Sequence, residues 1–349
     1  MRALCYRGPG VIEVDEVADP TPASGEVVVE VGAAGVCGTD HHLVAGHLGV
    51  PEGTIPGHET AGRIVALGAG VSGWATGDAV VCYGQVVCGE CRACLSGHEN
   101  RCIRPEGFGM ARPGGFAEYV AVPAACLLPL PRGLDPAIGA IATDAIATPD
   151  HALTAVGRVE NGETVGVIGA GGLGLHAVAL ARLLGAGRVV AADPSAAARD
   201  LALAVGADDV FDPSAHGKPG RDLRKLVGGA EVVFEFVGRT DTVEMGLDAL
   251  GAGGRLVVVG VGNDRPRLPP IIRLVGMELA VAGSFGSTRD DIATVLGLVE
   301  RGELDTFHSI TRRVGLTEAP HLFRGPSGPA RSVIEPALSL RTRTGADDA

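Results

Sequence analysis

Four of the eight cysteines fall within fifteen residues, as Cys88-x2-Cys91-x2-Cys94-x7-Cys102. Four thiolates at that spacing can wrap one tetrahedral ion from a short loop, with zinc–sulfur bonds of about 2.3 Å. Residues 83–105 have little apolar periodicity, so ion binding has to supply the folding free energy that a core would otherwise provide. Two disulfides are the other use of the same cysteines. The stretch Met1–Gly10 has no apolar signal segment, so the expected compartment is the reducing cytoplasm, which favours thiolates. A second, looser group follows a different pattern: Cys37, Thr39 and His42 lie in Gly35-Val-Cys-Gly-Thr-Asp-His-His42, and Gly57-His58-Glu59 comes shortly after. Thiolate, hydroxyl, imidazole and carboxylate thus share a short span, a mixed donor set suited to a metal. Cys5, Cys82 and Cys126 have no ligand-type neighbour and read as small core residues.

Gly-x-Gly-x-x-Gly occurs twice, at Gly68, Gly70, Gly73 and at Gly169, Gly171, Gly174. Only the second follows an apolar strand and opens a helical run, Leu173 to Leu184; the first runs into Trp74-Ala-Thr-Gly-Asp78 and reads as a turn. At the second copy the backbone can approach a pyrophosphate, which free N–H groups and the helix dipole would hold. Asp193 closes the next strand at the spacing where a carboxylate accepts from the adenosine ribose hydroxyls. A 2′-phosphate would meet a like charge there, so NAD is expected over NADP. A turn-forming role for Asp193-Pro194 is the alternative.

These groups need elements to position them. The chain has 349 residues, 46% hydrophobic and 20% charged, enough for two domains with a large core. Its formal charge is −12 and its only lysines are Lys218 and Lys225, which argues against nucleic acid as a partner. The longest apolar stretch, Val165 to Ala181, holds five glycines and reads as strand, turn and helix, so no membrane partner is expected. Residues 1–147 carry short β-branched runs such as Glu26–Val31 and Arg63–Leu67 between Gly and Pro, and imply a β-rich domain. Residues 148–284 alternate strands (Thr164–Ile168, Arg188–Ala192, Val232–Val237, Arg255–Val261) with helices (Leu173–Leu184, Ser195–Val205, Thr240–Leu250), the α/β signature of a parallel sheet. Residues 285–349 hold a helix over Arg289–Arg301, a strand near Ser332–Ile334 and a loose tail from Pro336 to Ala349.

Taken in order, Cys37-Gly-Thr-Asp-His-His42, Gly57-His-Glu59, the four-cysteine lobe, Gly114-Gly-Phe-Ala-Glu-Tyr119, Gly169-Ala-Gly-Gly-Leu-Gly174 and Gly283-Ser-Phe-Gly286 resemble a zinc-dependent alcohol dehydrogenase of the medium-chain dehydrogenase/reductase superfamily over nearly the whole chain. The resemblance implies a GroES-like β-rich catalytic domain plus a Rossmann doubly wound parallel-sheet domain, NAD, and two zinc ions per subunit. One zinc would be structural, on Cys88, Cys91, Cys94 and Cys102. The other would be catalytic, on Cys37, His58 and a third residue just before the nucleotide domain. There Ala142-Thr-Asp-Ala-Ile-Ala-Thr-Pro149 resembles the bacterial secondary-alcohol branch, which points to Asp144. Asp150, His151 and Glu59 are rival ligands by residue type. Thr148-Pro149 reads as N-cap and first position of a helix, which gives Asp150 a dipole-compensating role.

The resemblance further implies a proton relay through Thr39 and His42, with capping as the alternative for Thr39 or Asp40, while His41 faces elsewhere. Glu59 would sit behind the metal. Thr148 would lie near the nicotinamide, and Gly169, Gly171, Gly172, Leu173, Gly174, Asp193, Val237, Val259, Ser284, Phe285 and Arg331 would contact the dinucleotide. Pocket walls are expected from Leu48, Tyr83 and Phe285. The chain departs from the family at Pro329-Ala330-Arg331, where glycine-arginine is usual, at Asp150, where an aromatic is expected, and at Val86-Val87, where glycine is frequent. The implied reaction is hydride transfer between a secondary alcohol and NAD, giving a ketone or aldehyde. A dehydrogenase of a polyol, cyclitol or other hydroxylated metabolite is the alternative, and a non-catalytic sensor the remote one. A homodimer or homotetramer through the nucleotide domain is implied, with Leu268–Val281 as the contact.

Overall fold

The computed structural model describes residues 1–325 and 328–338. The expected tail, Pro336–Ala349, lies outside the described residues beyond 338. The chain forms two domains, each built on its own sheet.

The nucleotide domain holds a six-stranded, wholly parallel sheet in the spatial order Asp209–Phe211, Arg188–Ala192, Thr164–Ile168, Ala230–Glu235, Leu250–Val258, Ala280–Gly283. Four of these are the strands expected from sequence. The edge strands Asp209–Phe211 and Ala280–Gly283 are additional; they are too short or too interrupted for apolar periodicity to single out. Thr164–Ile168 is an unbroken apolar run because helices cover both faces, and Val165, Val167 and Ile168 are buried. The strand order reverses beside it, so a crevice opens at its carboxyl end, where ligands bind in doubly wound sheets. The second Gly-x-Gly-x-x-Gly occupies that end, followed by the helix Gly174–Leu183. A Cβ on Gly174 would come 1.8 Å from the Gly169 carbonyl oxygen, so no side chain fits where the helix meets the strand. The first copy, around Gly70 and Gly73, forms turns, as its sequence context implies.

The catalytic domain holds a seven-stranded sheet in which Glu26–Val36 pairs antiparallel with Glu59–Leu67, Tyr119–Pro123 and, from the far end of the chain, Arg331–Ile334. The register sets Ser332 opposite Val36 and Val333 opposite Gly35, which brings Arg331 to the end of the strand that leads into Cys37. The chain therefore leaves this domain, builds the nucleotide domain and returns.

The join between domains differs from the sequence expectation. Asp135 caps a helix that starts at Pro136, accepting from Ala137 N–H at 2.9 Å, and the helix runs unbroken to Gly157. Two stretches, Ala142–Ile146 and Ala152–Gly157, have the wider π-helical winding. Thr148 and Pro149 lie in the interior of this helix rather than at its start. Pro149 has no N–H to return to the preceding turn, and the widened winding next to it accommodates that gap. One large apolar cluster runs from the catalytic sheet through this helix to one face of the nucleotide sheet, and a second lies on that sheet's opposite face.

Candidate active site

Cys37 ends the long strand Glu26–Val36 and precedes the helix Gly38–Val44. The Asp40 carboxylate accepts from the Cys37 backbone N–H at 2.8 Å, so Asp40 does the capping and Thr39 is left free for other work. His58 stands at the entry to the neighbouring strand, with Nδ1 3.6 Å from Asp40 and Nε2 3.8 Å from Asp144. Asp144 comes from the π-helical stretch, 3.3 Å from Cys37 Sγ. One donor atom each from Cys37, His58, Glu59 and Asp144 lie within 4.8 Å of one another. Three elements distant in sequence thus converge on one point.

This centre is short of positive charge. Glu59 is fully buried, and its Oε2 has no hydrogen-bond partner among the described residues. Gly35 leaves the space for it, since a Cβ there would sit 1.9 Å from Oε2. Burial pushes the Glu59 carboxyl well up, and the nearby Arg331 only partly opposes this. Burial would also raise Asp144, but His58 and Arg331 hold it well below the usual carboxylate range. Burial alone would lower His58; the charges of Asp40 and Asp144 outweigh it and push the imidazole well up. A soft sulfur, an imidazole and two carboxylates around an orphaned buried oxygen fit a divalent ion of borderline softness, and zinc is the usual one.

Arg331 completes the arrangement. Its Nη2 reaches Glu59 Oε1 at 2.5 Å and Asp144 Oδ2 at 2.9 Å, while Nη1 lies 2.8 Å from where a Gly172 side chain would begin. The guanidinium stands between the candidate metal cluster and the glycine turn, facing the two carboxylates. Thr148 Oγ1 donates to Asp144 Oδ1 at 2.6 Å and so leaves Oδ2 for the centre. Thr39 Oγ1 lies 3.8 Å from Cys37 Sγ, and His42 Nδ1 faces His47 Nδ1 at 3.2 Å near solvent. His41 packs against Phe323. On the cofactor side, Asp193 accepts from Ala170 N–H at 2.9 Å and from Ser195 N–H at 2.8 Å, so the carboxylate closes over the glycine turn. Val237 touches Gly169, Val259 and Ser284 are buried and Phe285 is exposed.

Two rival ligands lie elsewhere. His151 Nδ1 is 2.8 Å from Asp291, and His151 Nε2 is 3.1 Å from Asn100 Nδ2. Asp150 is buried near that pair and belongs to neither metal cluster. Its expected dipole role is corrected by the helix, which offers no free N-terminus at Thr148. Tyr83, expected in the pocket wall, is buried and donates to the Ser287 carbonyl at 2.9 Å, while Leu48 is exposed. Sequence reading missed the contacts of Arg331 with both carboxylates and the Asn100–His151–Asp291 chain, whose members lie far apart in the sequence and carry no motif.

The four-cysteine lobe is closed and local. Cys88, Cys91, Cys94 and Cys102 bring their sulfurs within 4.8 Å of one another. All four are free thiols, with Cys91 and Cys94 sulfurs 3.5 Å apart, so the disulfide alternative does not apply. Backbone N–H groups of Glu90 and Cys91 bring Cys88 down to about 6, and burial with the adjacent Cys91 sulfur pushes Cys94 up to about 12. Four crowded thiols cannot all ionise unless a cation sits among them.

Two family models match the chain: the alcohol dehydrogenase GroES-like domain over residues 23–132 and the zinc-binding dehydrogenase over residues 172–301. A relative, the L-threonine 3-dehydrogenase of Saccharopolyspora erythraea, is 32% identical over 93% of this chain and 95% of its own length. The chain belongs to the zinc-binding alcohol dehydrogenases. Another member, the sorbitol dehydrogenase of Halalkalibacterium halodurans, is 30% identical over 91% of this chain and 94% of its own. A solved zinc-binding dehydrogenase structure from Sinorhizobium meliloti 1021 with NADP bound superposes with a TM-score of 0.88 at 34% identity, over 96% of this chain and 99% of that one. As in other zinc-binding alcohol dehydrogenases of the medium-chain superfamily, the fold is that of an NAD- and zinc-binding oxidoreductase, built for hydride transfer between a hydroxylated substrate and the nicotinamide.

Proposed function

We propose that the chain oxidises a hydroxyl group of a small polyhydroxylated or otherwise substituted metabolite with NAD, using zinc held by Cys37, His58 and Asp144. The observation that carries this reading is the convergence of those ligands with Glu59 beside the glycine turn. Relatives named for L-threonine and sorbitol favour such a substrate over a simple secondary alcohol. When bound, zinc acidifies a substrate hydroxyl or polarises a carbonyl, and NAD takes or returns the hydride.

The residues around the centre have separate tasks. Asp40 turns His58 Nδ1 toward itself, which leaves Nε2 for the metal, and Thr148 does the same for Asp144 Oδ2. Thr39 receives the substrate proton, and His42 releases it to solvent. Glu59 and Arg331 hold the charge balance behind the ligands. Gly169, Gly171, Gly172, Leu173 and Gly174 cradle the pyrophosphate; Asp193 takes the ribose and disfavours a 2′-phosphate, in contrast to the NADP-bound relative. Val237, Val259, Ser284 and Phe285 line the nicotinamide side.

A second zinc, on the four-cysteine lobe, has no open position and supports folding. No helix among the described residues is long and apolar enough to cross a membrane. The edge strand Ala280–Gly283 with the exposed Leu268, Ile271, Ile272 and Val275 is the surface through which two copies pair, and a lobe that needs four thiolates for its zinc favours a reducing, cytoplasmic site of action.

Metal analysis and NADH absorbance test the proposal. Asp144→Ala should keep about one zinc of two and lose nearly all turnover with a panel of polyols, amino alcohols and secondary alcohols. Two zincs in that variant would sink the ligand assignment, and no NADH from wild type with any alcohol, despite bound zinc and NAD, would favour the sensor.

A further inference from the structure

His176 sits in the first turn of the helix that follows the glycine turn, 2% exposed, and none of the roles above uses it. Both ring nitrogens are engaged. Nδ1 is 2.7 Å from the Gly172 carbonyl oxygen and Nε2 is 2.8 Å from Ser309 Oγ. A carbonyl can only accept, so Nδ1 carries the proton; Nε2 is then the acceptor and takes the Ser309 hydroxyl proton. Burial and the charge of Arg331 lower the imidazole to about 4, which keeps the ring neutral near neutral pH.

The position of this bond matters for the turn. Leu175 N–H and Ala177 N–H donate to the carbonyls of Gly171 and Leu173, while the carbonyl between them, that of Gly172, receives the imidazole proton. In a trans peptide the C=O and the following N–H point in opposite directions. Drawing the Gly172 oxygen back onto His176 therefore aims the Leu173 N–H outward from the helix start, where the free donors of a helix meet an anion. The other ring nitrogen reaches into the returning chain: the Ser309 carbonyl accepts from Arg331 N–H at 3.1 Å, and Arg331 in turn holds Glu59 and Asp144. One buried imidazole thus ties the glycine turn to the segment that supports the metal centre.

We propose that His176 is a positioning residue for the dinucleotide: through Nδ1 it orients the Gly172–Leu173 peptide so that its N–H is presented to the pyrophosphate, while the Ser309 hydroxyl, donating to Nε2, holds the ring in the tautomer that does so. The inference rests on the reading of Gly169–Gly174 as the dinucleotide cradle. Two substitutions separate the bonds, because the amide of Asn falls near Nδ1 and that of Gln near Nε2. NADH affinity is measured by fluorescence titration of the zinc-loaded protein without substrate, with zinc content and melting temperature recorded for each variant.

His176→Gln should weaken NADH binding by about tenfold, the loss of one well-placed donor to a phosphate, with zinc content unchanged. His176→Asn should stay within about threefold of wild type. Equal NADH affinity in wild type and His176→Gln, or a loss in His176→Asn as large as in His176→Gln, overturns the proposal. Should neither variant fold, amide exchange in the wild type decides it: NADH should slow exchange at Leu173, and an unchanged Leu173 amide with NADH bound refutes the role. A wild type that binds no NADH at all refutes the reading of the turn itself, which is a different result from a bound cofactor indifferent to residue 176.

Discussion

Asp150→Asn should stabilise the protein, although it removes a charge from the interior of a helix. Asp150 is 5% exposed; burial first, and then the charge of Asp291, raise its carboxyl from 3.8 to about 6, with His151 opposing. A group that binds its proton more tightly when folded contributes full stability below its unfolded value of about 3.8, and that contribution is lost as pH rises through about 6. The shift from 3.8 to about 6 corresponds to at most about 3 kcal/mol at pH 7 and above. Asparagine keeps the shape and never ionises, so the variant should gain about 1–3 kcal/mol at pH 8 and match wild type near pH 4. Melting temperatures of both proteins, measured at half-unit steps from pH 4 to pH 8, give the difference curve, in which metal loss and other shared titrations cancel. The difference should grow between about pH 4 and 6 and be flat above about pH 7. A flat curve throughout, or a variant less stable at pH 8, would refute the reasoning and mean that the ionised carboxylate is well solvated or paired.

Two further substitutions probe the charge balance and the lobe. Arg331→Met takes the guanidinium from the buried Glu59 and from the half-buried Asp144, which keeps only His58, so it should destabilise the zinc-free protein by about 3–5 kcal/mol and the zinc-loaded protein much less, read as the difference in melting temperature with and without chelator. An equal effect in both states would show that Arg331 does not share the neutralisation of Glu59 and Asp144 with the metal. Cys91→Ser should lose the lobe's zinc, lower the melting temperature and open residues 83–105 to proteolysis before the catalytic metal is affected. Retention of both zincs would contradict the closed four-thiolate site.

How much of this was legible depended on how local each interaction is. The four lobe ligands span fifteen residues, so spacing alone displays them. The glycine turn is equally local, and its strand-before, helix-after context separated it from the look-alike at Gly68–Gly73. The Thr148-Pro149 helix start was misread because local rules treat an interior proline as a break, whereas here the helix continues on either side through π-wound stretches packed between both domains. Asp150 and His151 carried the right atoms for a metal, but their surroundings come from Asn100 and Asp291, far away in the chain.

Sequence alone determined the α/β class, the closed cysteine lobe, the glycine turn between strand and helix and, through the order of its motifs, the family. Tertiary structure decided which donors meet. Cys37, His58 and Asp144 come from a strand end, a strand start and a helix, and the sheet pairing that carries Arg331 back beside Cys37 joins two strands separated in sequence by the whole nucleotide domain. Types and spacing can name the groups able to do chemistry. Their burial, their charge state and their partners depend on long-range packing, which local spacing does not encode.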